Sequence, residues 1–251
     1  MTWNSIMGLI SSLALFLPIL LILVLKLGSY RSFPVLLIYY VIVLVYNLMK
    51  EGYIQPNPGV VYSWGICNNL LDAPLMLLFL SYFSPSAIFT KRLMKLIISY
   101  IVFEFFIVLF VGFNVAAITI ILGPGLLIIL ALSLYIFVRH SRIAITNHKA
   151  IGKTLIASSL VFAYGCYGIL YVLYYIIKTP LIADTFLLYF IVVIISSIIL
   201  CTGIIFERKR VQKLFELKKA RKELHDLYKD TKPSTPFRTA AMLDFESEPW
   251  S

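Results

Sequence analysis

Seven apolar runs dominate the chain, and each is about long enough to cross a lipid bilayer as a helix. They occupy residues 6–25, 33–49, 62–83, 93–112, 115–138, 152–177 and 184–206. A helix needs about 20 apolar residues to span the hydrocarbon core, where its backbone satisfies its own hydrogen bonds. The sequence predicts an all-α fold, a polytopic membrane bundle of seven transmembrane helices. Six or eight spans remain alternatives, because the second run is short and "VGFNVAA" leaves little room between the fourth and fifth.

Charged residues are concentrated at the C-terminal end. Only 14% of the 251 residues are charged and 61% are hydrophobic, whereas a soluble domain carries about 25% charged residues. Residues 1–206 hold 11 Lys/Arg and 4 Asp/Glu, and residues 207–251 hold 11 and 8. We expect a transmembrane domain over 1–206, a basic amphipathic cytoplasmic helix over 207–230 and a disordered tail over 231–251. The net charge of +10 favours an anionic membrane surface over nucleic acid as partner.

Basic residues alternate between the loops in a way that predicts orientation. The richer loops carry Lys26, Arg31, Lys91, Arg92, Arg139, Arg142 and Lys149. Loops rich in Lys and Arg stay in the cytoplasm, so we expect the N-terminus outside and the C-terminus inside. The N-terminal run has no basic n-region or convincing cleavage site, which predicts a retained first helix. With the compact loops, this favours a bacterial cytoplasmic (inner) membrane.

Two carboxylates, Asp72 and Glu104, lie about halfway along the third and fourth spans. An ionisable group at that depth costs several kcal/mol and indicates function by default. Asn68 and Asn69 precede Asp72 on the same helical face. No Lys or Arg lies in the middle of any span. These four residues form either a ligand or ion pocket or a set of hydrogen-bonded contacts that join helices.

The sixth span carries a face of tyrosines, and two other spans carry internal prolines. The face consists of Tyr164, Tyr167, Tyr171 and Tyr174. It predicts either a wall of the same pocket or a packing seam in which Gly165 and Gly168 let helices approach. Pro74 and Pro124 are hinge candidates, although prolines also make ordinary kinks in membrane helices.

The basic segment after the seventh span predicts a surface-binding helix. Its cations are Arg208, Lys209, Arg210, Lys213, Lys218, Lys219, Arg221 and Lys222, with an apolar side that includes Leu214 and Phe215. Such a helix rests on anionic lipid, with each cation contributing about 1 kcal/mol near the surface. A cytosolic signalling protein or a membrane-complex subunit is the alternative partner.

The sequence gives little sign of catalysis. The three histidines, His140, His148 and His225, fall in the predicted cytoplasmic loop or tail, away from the membrane acids. No nucleotide-binding glycine motif occurs, and the three cysteines form neither a metal pattern nor a disulfide framework. An enzyme is therefore disfavoured, and no metal or other cofactor is expected. Acid–base chemistry by the two membrane acids stays open.

Two segments resemble the microbial rhodopsins. "LLDAPLMLLFL" is similar to their third helix, where a polar residue precedes Pro-Leu and an aliphatic run, and "FAYGCYGILY" resembles their aromatic sixth helix. The resemblance implies the seven-helix architecture of rhodopsins and receptors. Members of that family carry retinal on a seventh-helix lysine. The seventh span here contains no lysine, so no covalent retinal is expected.

These observations predict an integral membrane receptor-like sensor or signalling module. Its pocket near the middle of the bilayer would signal through the seventh helix to the basic cytoplasmic helix. A proton- or cation-coupled transporter that uses Asp72 and Glu104 is the first alternative. A structural subunit of a membrane complex is the second.

Overall fold

The computed structural model describes residues 3–28, 30–84, 86–147, 150–177 and 182–229. The described part of the chain is helical, with these elements: α1 (Trp3–Val24), α2 (Phe33–Lys50), α3 (Pro58–Leu80), α4 (Ala87–Val111), α5 (Val115–Asn147), α6 (Ile151–Tyr171) and α7 (Ile182–Lys229). A 3₁₀ turn, Ser81–Phe83, follows α3, and a π-helical segment, Val172–Ile177, continues α6. Seven of these helical stretches are long and apolar enough to cross a membrane, which confirms the predicted spans and indicates an integral membrane protein. The predicted tail at 231–251 lies outside the described residues.

Several helices begin and end where local chemistry dictates. Asn57 caps α3 by accepting from the amide of Gly59, and Pro58 occupies the first turn, where no amide partner is needed. Ser86 caps α4 by accepting from the amide of Phe89. Gly112 ends α4 with a φ of 91°, a conformation that favours glycine, and this allows the short link to α5. The tight "VGFNVAA" break is therefore a true boundary between two helices.

Six helices form a closed circle, and one helix lies outside it. Neighbours pack in the order α1, α2, α3, α5, α6, α7 and back to α1. We call these six the inner circle. The remaining helix, α4, packs against α3 and α5 on the outside. Its outward face is strongly apolar, with Phe105 64% and Phe110 81% exposed, as expected of a helix that faces lipid.

Two of the helices extend well past their apolar runs. α5 continues to Asn147 rather than ending near residue 138, and α7 runs without interruption through Lys229. The expectation that His140 lies in a loop was therefore wrong, because it lies within α5 and is buried. Pro74 and Pro124 both lie inside continuous helices, α3 and α5. We call the end of the bundle at which α7 extends outward the tail end, and the other the opposite end.

α6 and α7 approach most closely at a pair of glycines near the tail end. A Cβ atom added at Gly203 would lie 2.7 Å from Cγ1 and 2.9 Å from the backbone nitrogen of Ile156. One added at Gly152 would lie 2.6 Å from the backbone nitrogen of Glu207. Small residues let membrane helices pack backbone to backbone. Gly165 and Gly168, which the sequence suggested for this role, have ample space: no atom lies within 4 Å of a Cβ at Gly168.

We expect Gly203→Ala to lower the free energy of unfolding by about 1–3 kcal/mol, because an added methyl group meets the backbone of Ile156 and Gly152 as well as the Ile156 side chain. Thermal or denaturant unfolding of the purified protein in detergent measures the change. Gly168→Ala is the matched control on α6, with open space around the new methyl group. Equal destabilisation by the two substitutions would contradict the close α6–α7 contact.

Candidate functional site

A cavity of about 670 Å³ lies between the six helices of the inner circle. Tyrosines make up much of its wall: Tyr39, Tyr40, Tyr46, Tyr167, Tyr171, Tyr174, Tyr175 and Tyr189. Small-molecule sites usually occupy about 300–1,000 Å³, so the volume suits a small ligand. We call this space the tyrosine cavity.

Besides its tyrosines, the cavity has three groups of polar residues, of which Ser196 and Ser197 on α7 are one. Asn68, Asn69 and Asp72 lie together on α3, as the sequence predicted, and all three line the cavity. Asn47, Lys50 and Glu51 line it where α2 ends, so the cavity reaches the opposite end of the bundle. The Asn47 amide donates to the hydroxyls of Ser11 and Ser12, which ties α2 to α1.

Glu51 belongs to the link after α2 and lies against α1. A Cβ at Gly8 would collide with the Glu51 carboxylate, so the glycine makes room for it. Partial burial raises the pKa of the Glu51 carboxyl above its ordinary value. This acid and Lys50, which is exposed, put both signs of charge at the rim of the cavity.

Asp72 is held by tyrosine hydroxyls. The hydroxyl of Tyr164 on α6 donates to Oδ1 of Asp72 at 2.9 Å. The Tyr39 hydroxyl of α2 lies near the same carboxylate. Tyr164 is fully buried, so this bond joins α3 to α6 in the interior of the bundle. Among the described residues that line the cavity, Lys50 is the sole basic one.

Glu104 does not line the tyrosine cavity, because it lies on α4, outside the inner circle. It is nevertheless buried, at 7% exposure, and its Oε1 atom has no hydrogen-bond partner within the described structure. It lies near enough to Asp72 for the two carboxylates to interact electrostatically. The two acids therefore interact electrostatically, but of the two only Asp72 lines the cavity.

Aromatic side chains form a connected wall along the cavity. The Tyr167 ring lies 5.9 Å from the Tyr164 ring and stacks on Tyr189 of α7, again at 5.9 Å. Near the opposite end, the Tyr171 and Tyr175 rings are 5.4 Å apart. The π-helical segment brings Tyr174 and Tyr175, although adjacent in sequence, to the same cavity.

Two tyrosine hydroxyls donate to α5 just before its "LGPGLL" segment. Tyr171 donates to the carbonyl of Thr119 at 2.8 Å, and Tyr100 of α4 donates to the carbonyl of Ile121 at 2.9 Å. A Cβ at Gly123 would lie 3.0 Å from the Tyr171 hydroxyl oxygen, so this glycine admits the phenol. The segment around Pro124 is thus hydrogen-bonded to both α4 and α6, and its role as a hinge stays a prediction.

A second polar group lies at the tail end, and we call it the tail-end cluster. It consists of Arg31, Tyr82, Lys153, Glu207 and Arg210. Glu207 and Arg210 of α7 form an ion pair at 2.6 Å, and the Tyr82 hydroxyl donates to Oε1 of Glu207. Nζ of Lys153 lies 5.4 Å from the centre of the Tyr82 ring, and the Arg31 guanidinium lies 5.8 Å from it. The cluster therefore joins α3, α6 and α7.

Burial makes the tail-end cluster unusual. Glu207 is fully buried and Lys153 is 2% exposed. Oε2 of Glu207 has no hydrogen-bond partner in the described part of the chain. Arg210, which the sequence grouped with the lipid-binding cations, is engaged by Glu207 and Tyr82 instead. A single buried carboxylate thus offsets several neighbouring cations.

Some of these residues could be predicted from sequence and others could not. Asn68, Asn69, Asp72, Tyr167 and Tyr171 line one cavity as expected, with Tyr164 bonded to Asp72. The sequence analysis missed the cavity tyrosines of α2 and α7 and the whole tail-end cluster. "YYVIVLVY" in the second span was the available signal for α2, since Tyr39 and Tyr46 are seven residues apart and share a helical face.

The described residues contain no group of three His, Cys, Asp or Glu side chains that could hold a metal ion. Comparison with protein-family models, with curated proteins and with solved structures found no match. The geometry of the cavity and the cluster is therefore the basis for any functional proposal.

We expect Glu207→Gln to destabilise the protein by about 3 kcal/mol or more, because it leaves buried cations without their carboxylate. Glu216→Gln is the matched control, since Glu216 lies on the same helix but is exposed. Denaturant unfolding in detergent measures both variants. Similar stabilities for the two would show that Glu207 does not hold the cluster together.

Proposed function

We propose that the protein is a receptor-like sensor of the cytoplasmic membrane. A ligand in the tyrosine cavity shifts the helices of the inner circle, and α7 carries the shift to its basic extension. The observation that carries this proposal is the continuity of α7. One helix contributes cavity wall, tail-end cluster and exposed basic segment.

The three parts lie in sequence along α7. Ser196 and Ser197 line the cavity, and Glu207 follows ten residues later, about 15 Å along a helix. From Glu207 to Lys229 the helix continues for about another 33 Å. A rigid helix transmits a rotation or tilt over such lengths without a separate linker. This supports α7 as the output element.

The input element is the contact between α3 and α6. A ligand near Asp72 competes with, or reinforces, the hydrogen bond from Tyr164 and so changes how α6 sits against α3. α6 in turn meets α7 backbone to backbone at Gly152 and Gly203. Because the two backbones are in direct contact there, a shift of α6 moves α7 with it.

Charge distribution supports the proposed orientation. The tail end carries Arg31 in the link between α1 and α2 and Lys91 and Arg92 in the first two turns of α4, while the opposite end carries Lys50 with Glu51. By the positive-inside rule this supports a tail end in the cytoplasm and a tyrosine cavity that opens to the outside. The compact loops favour a bacterial inner membrane within this proposal.

The α7 extension is suited to a charged surface. Its described side chains from Gln212 to His225 are exposed and combine cations with apolar groups such as Phe215, which is 72% exposed. Anionic lipid binds such a helix through both kinds of side chain. A cytosolic signalling protein that competes with lipid for this helix would respond to the position of the helix.

The relay predicts that changes in the cavity move the extension. We would place spin labels at Lys91→Cys and Leu214→Cys, both exposed positions, in a background without Cys67, Cys166 and Cys201. In lipid nanodiscs, Tyr164→Phe and Asp72→Asn should each alter the distance distribution between the labels. The first removes the donor of the α3–α6 hydrogen bond, and the second replaces its charged acceptor with a neutral amide oxygen. Double electron–electron resonance measures it.

Leu127→Ala serves as the control for this experiment, since Leu127 is 68% exposed on α5 and lies outside the relay. Its distance distribution should match the parent. If both cavity variants also match the parent while remaining folded, the relay is refuted and α7 is not an output of the cavity.

A second candidate function is a proton- or cation-coupled transporter. The buried and unpartnered Glu104 carboxylate, within electrostatic reach of Asp72, is the observation in its favour. Two interacting acids without a buried basic partner nearby can hold a transported cation. Glu104 lies outside the cavity wall, however, so the two acids would have to serve successive steps.

Reconstitution in liposomes with an internal pH dye separates the two candidates. Under the sensor proposal, imposed sodium, potassium or pH gradients produce no flux above that of empty liposomes. Flux that disappears in Asp72→Asn or Glu104→Gln would instead establish the transporter and make those carboxylates its ion site.

A further inference from the structure

We infer that the ligand of the tyrosine cavity is a small organic cation, an amine or ammonium group attached to an apolar body. This inference deepens the proposed function and rests on its premise that the cavity is a ligand site. Three features of the cavity support it: a carboxylate without a basic partner in the described wall, walls of aromatic faces, and a size that suits a small molecule.

The Asp72 carboxylate is the group that complements the charge of a cationic ligand. Asp72 accepts a hydrogen bond from the hydroxyl of Tyr164, a donor that brings no positive charge to the carboxylate. No basic side chain of the described cavity wall lies deeper than Lys50 at the rim. An ionised group in a bundle interior needs a positive partner, so the ligand provides it. An anionic ligand would meet repulsion at the same place.

The aromatic wall of the cavity is the second feature that favours a cationic ligand. Tyr167 and Tyr189 stack beside Tyr164, next to the Asp72 carboxylate. Aromatic faces attract cations through their quadrupoles, by about 2 kcal/mol or more when the site is desolvated. Carboxylate and phenol faces together favour an ammonium group over a neutral polar head. The remaining tyrosines bind the apolar body along the path to the opposite end.

The same features argue against an inorganic cation as the resident ligand of the cavity. Hard cations take six or more oxygen ligands, whereas the described residues show no group of three metal-ligating acids, histidines or cysteines. A cavity of about 670 Å³ is also far larger than a desolvated ion requires. An organic body fills that volume and covers the tyrosine faces.

Three probes that share one body isolate the charge of the head group. They are 4-fluorophenethylamine, which is cationic, 2-(4-fluorophenyl)ethanol, which is neutral, and 3-(4-fluorophenyl)propionate, which is anionic. Each is titrated against the full-length protein in nanodiscs and followed by ligand-observed ¹⁹F NMR, with empty nanodiscs as the blank for partitioning into lipid. We expect saturable binding of the amine, and binding of the alcohol and the acid at least about tenfold weaker.

Variants locate the binding. Asp72→Asn should weaken the amine by about tenfold or more, and Asp72→Glu should restore part of the loss. Tyr189→Leu retains the carboxylate but removes an aromatic face, so it should also weaken amine binding. This second variant keeps the test decisive if Asp72→Asn misfolds. Tyr135→Leu is the matched control, a half-exposed tyrosine of α5 outside the cavity wall, and should leave amine affinity within about threefold of the parent.

Several results would overturn the inference. They are the absence of saturable amine binding up to about 10 mM, equal binding of the alcohol or the acid, and amine binding that is indifferent to Asp72. Failure of the sensor is a separate result. Amine binding at Asp72 that leaves the spin-label distances unchanged refutes the relay but not the ligand class. Spin-label distances that respond to Asp72→Asn without any amine binding refute the ligand class but not the relay.

Discussion

A carboxylate inside a membrane bundle must be stabilised by its neighbours, and the arrangement of this bundle can be understood from how Asp72 is held. Tyr164 donates to it from α6 and Tyr39 of α2 lies near it, so three helices meet at one acid. A phenol satisfies the carboxylate without neutralising it. The result is a polar, aromatic cavity within the inner circle, beside a core of buried apolar side chains.

The tail end solves a related problem in a different way. There a fully buried carboxylate, Glu207, is paired with Arg210 and surrounded by the phenol of Tyr82 and the ammonium of Lys153. Buried ion pairs contribute little net stability but fix which groups must meet. The cluster therefore sets the register of α7 against α3 and α6. Because α7 also forms part of the cavity wall, the two polar sites share one rigid element.

The spans could be predicted from sequence because length and hydropathy determine them, and Asn57, Ser86 and Gly112 mark the boundaries. The end of α5 could not, because polar residues such as His140 continue a helix when neighbouring helices pack around them. The cavity was half predictable: residues on one helical face follow from spacing, but tyrosines contributed by different helices meet only through packing. The position of Glu104 depended on α4 lying outside the inner circle, which no pattern within one span reveals.

Energetic coupling between Asp72 and Glu207 tests the central claim most directly. Sites separated by more than about 10 Å and without shared partners contribute additively to stability, within about 0.5 kcal/mol. A double-mutant cycle of Asp72→Asn and Glu207→Gln, measured by unfolding in nanodiscs, should instead show a coupling of about 1 kcal/mol or more, because both residues bias one α6–α7 unit. Additive effects would contradict the account and leave the cavity and the extension as independent parts of the molecule.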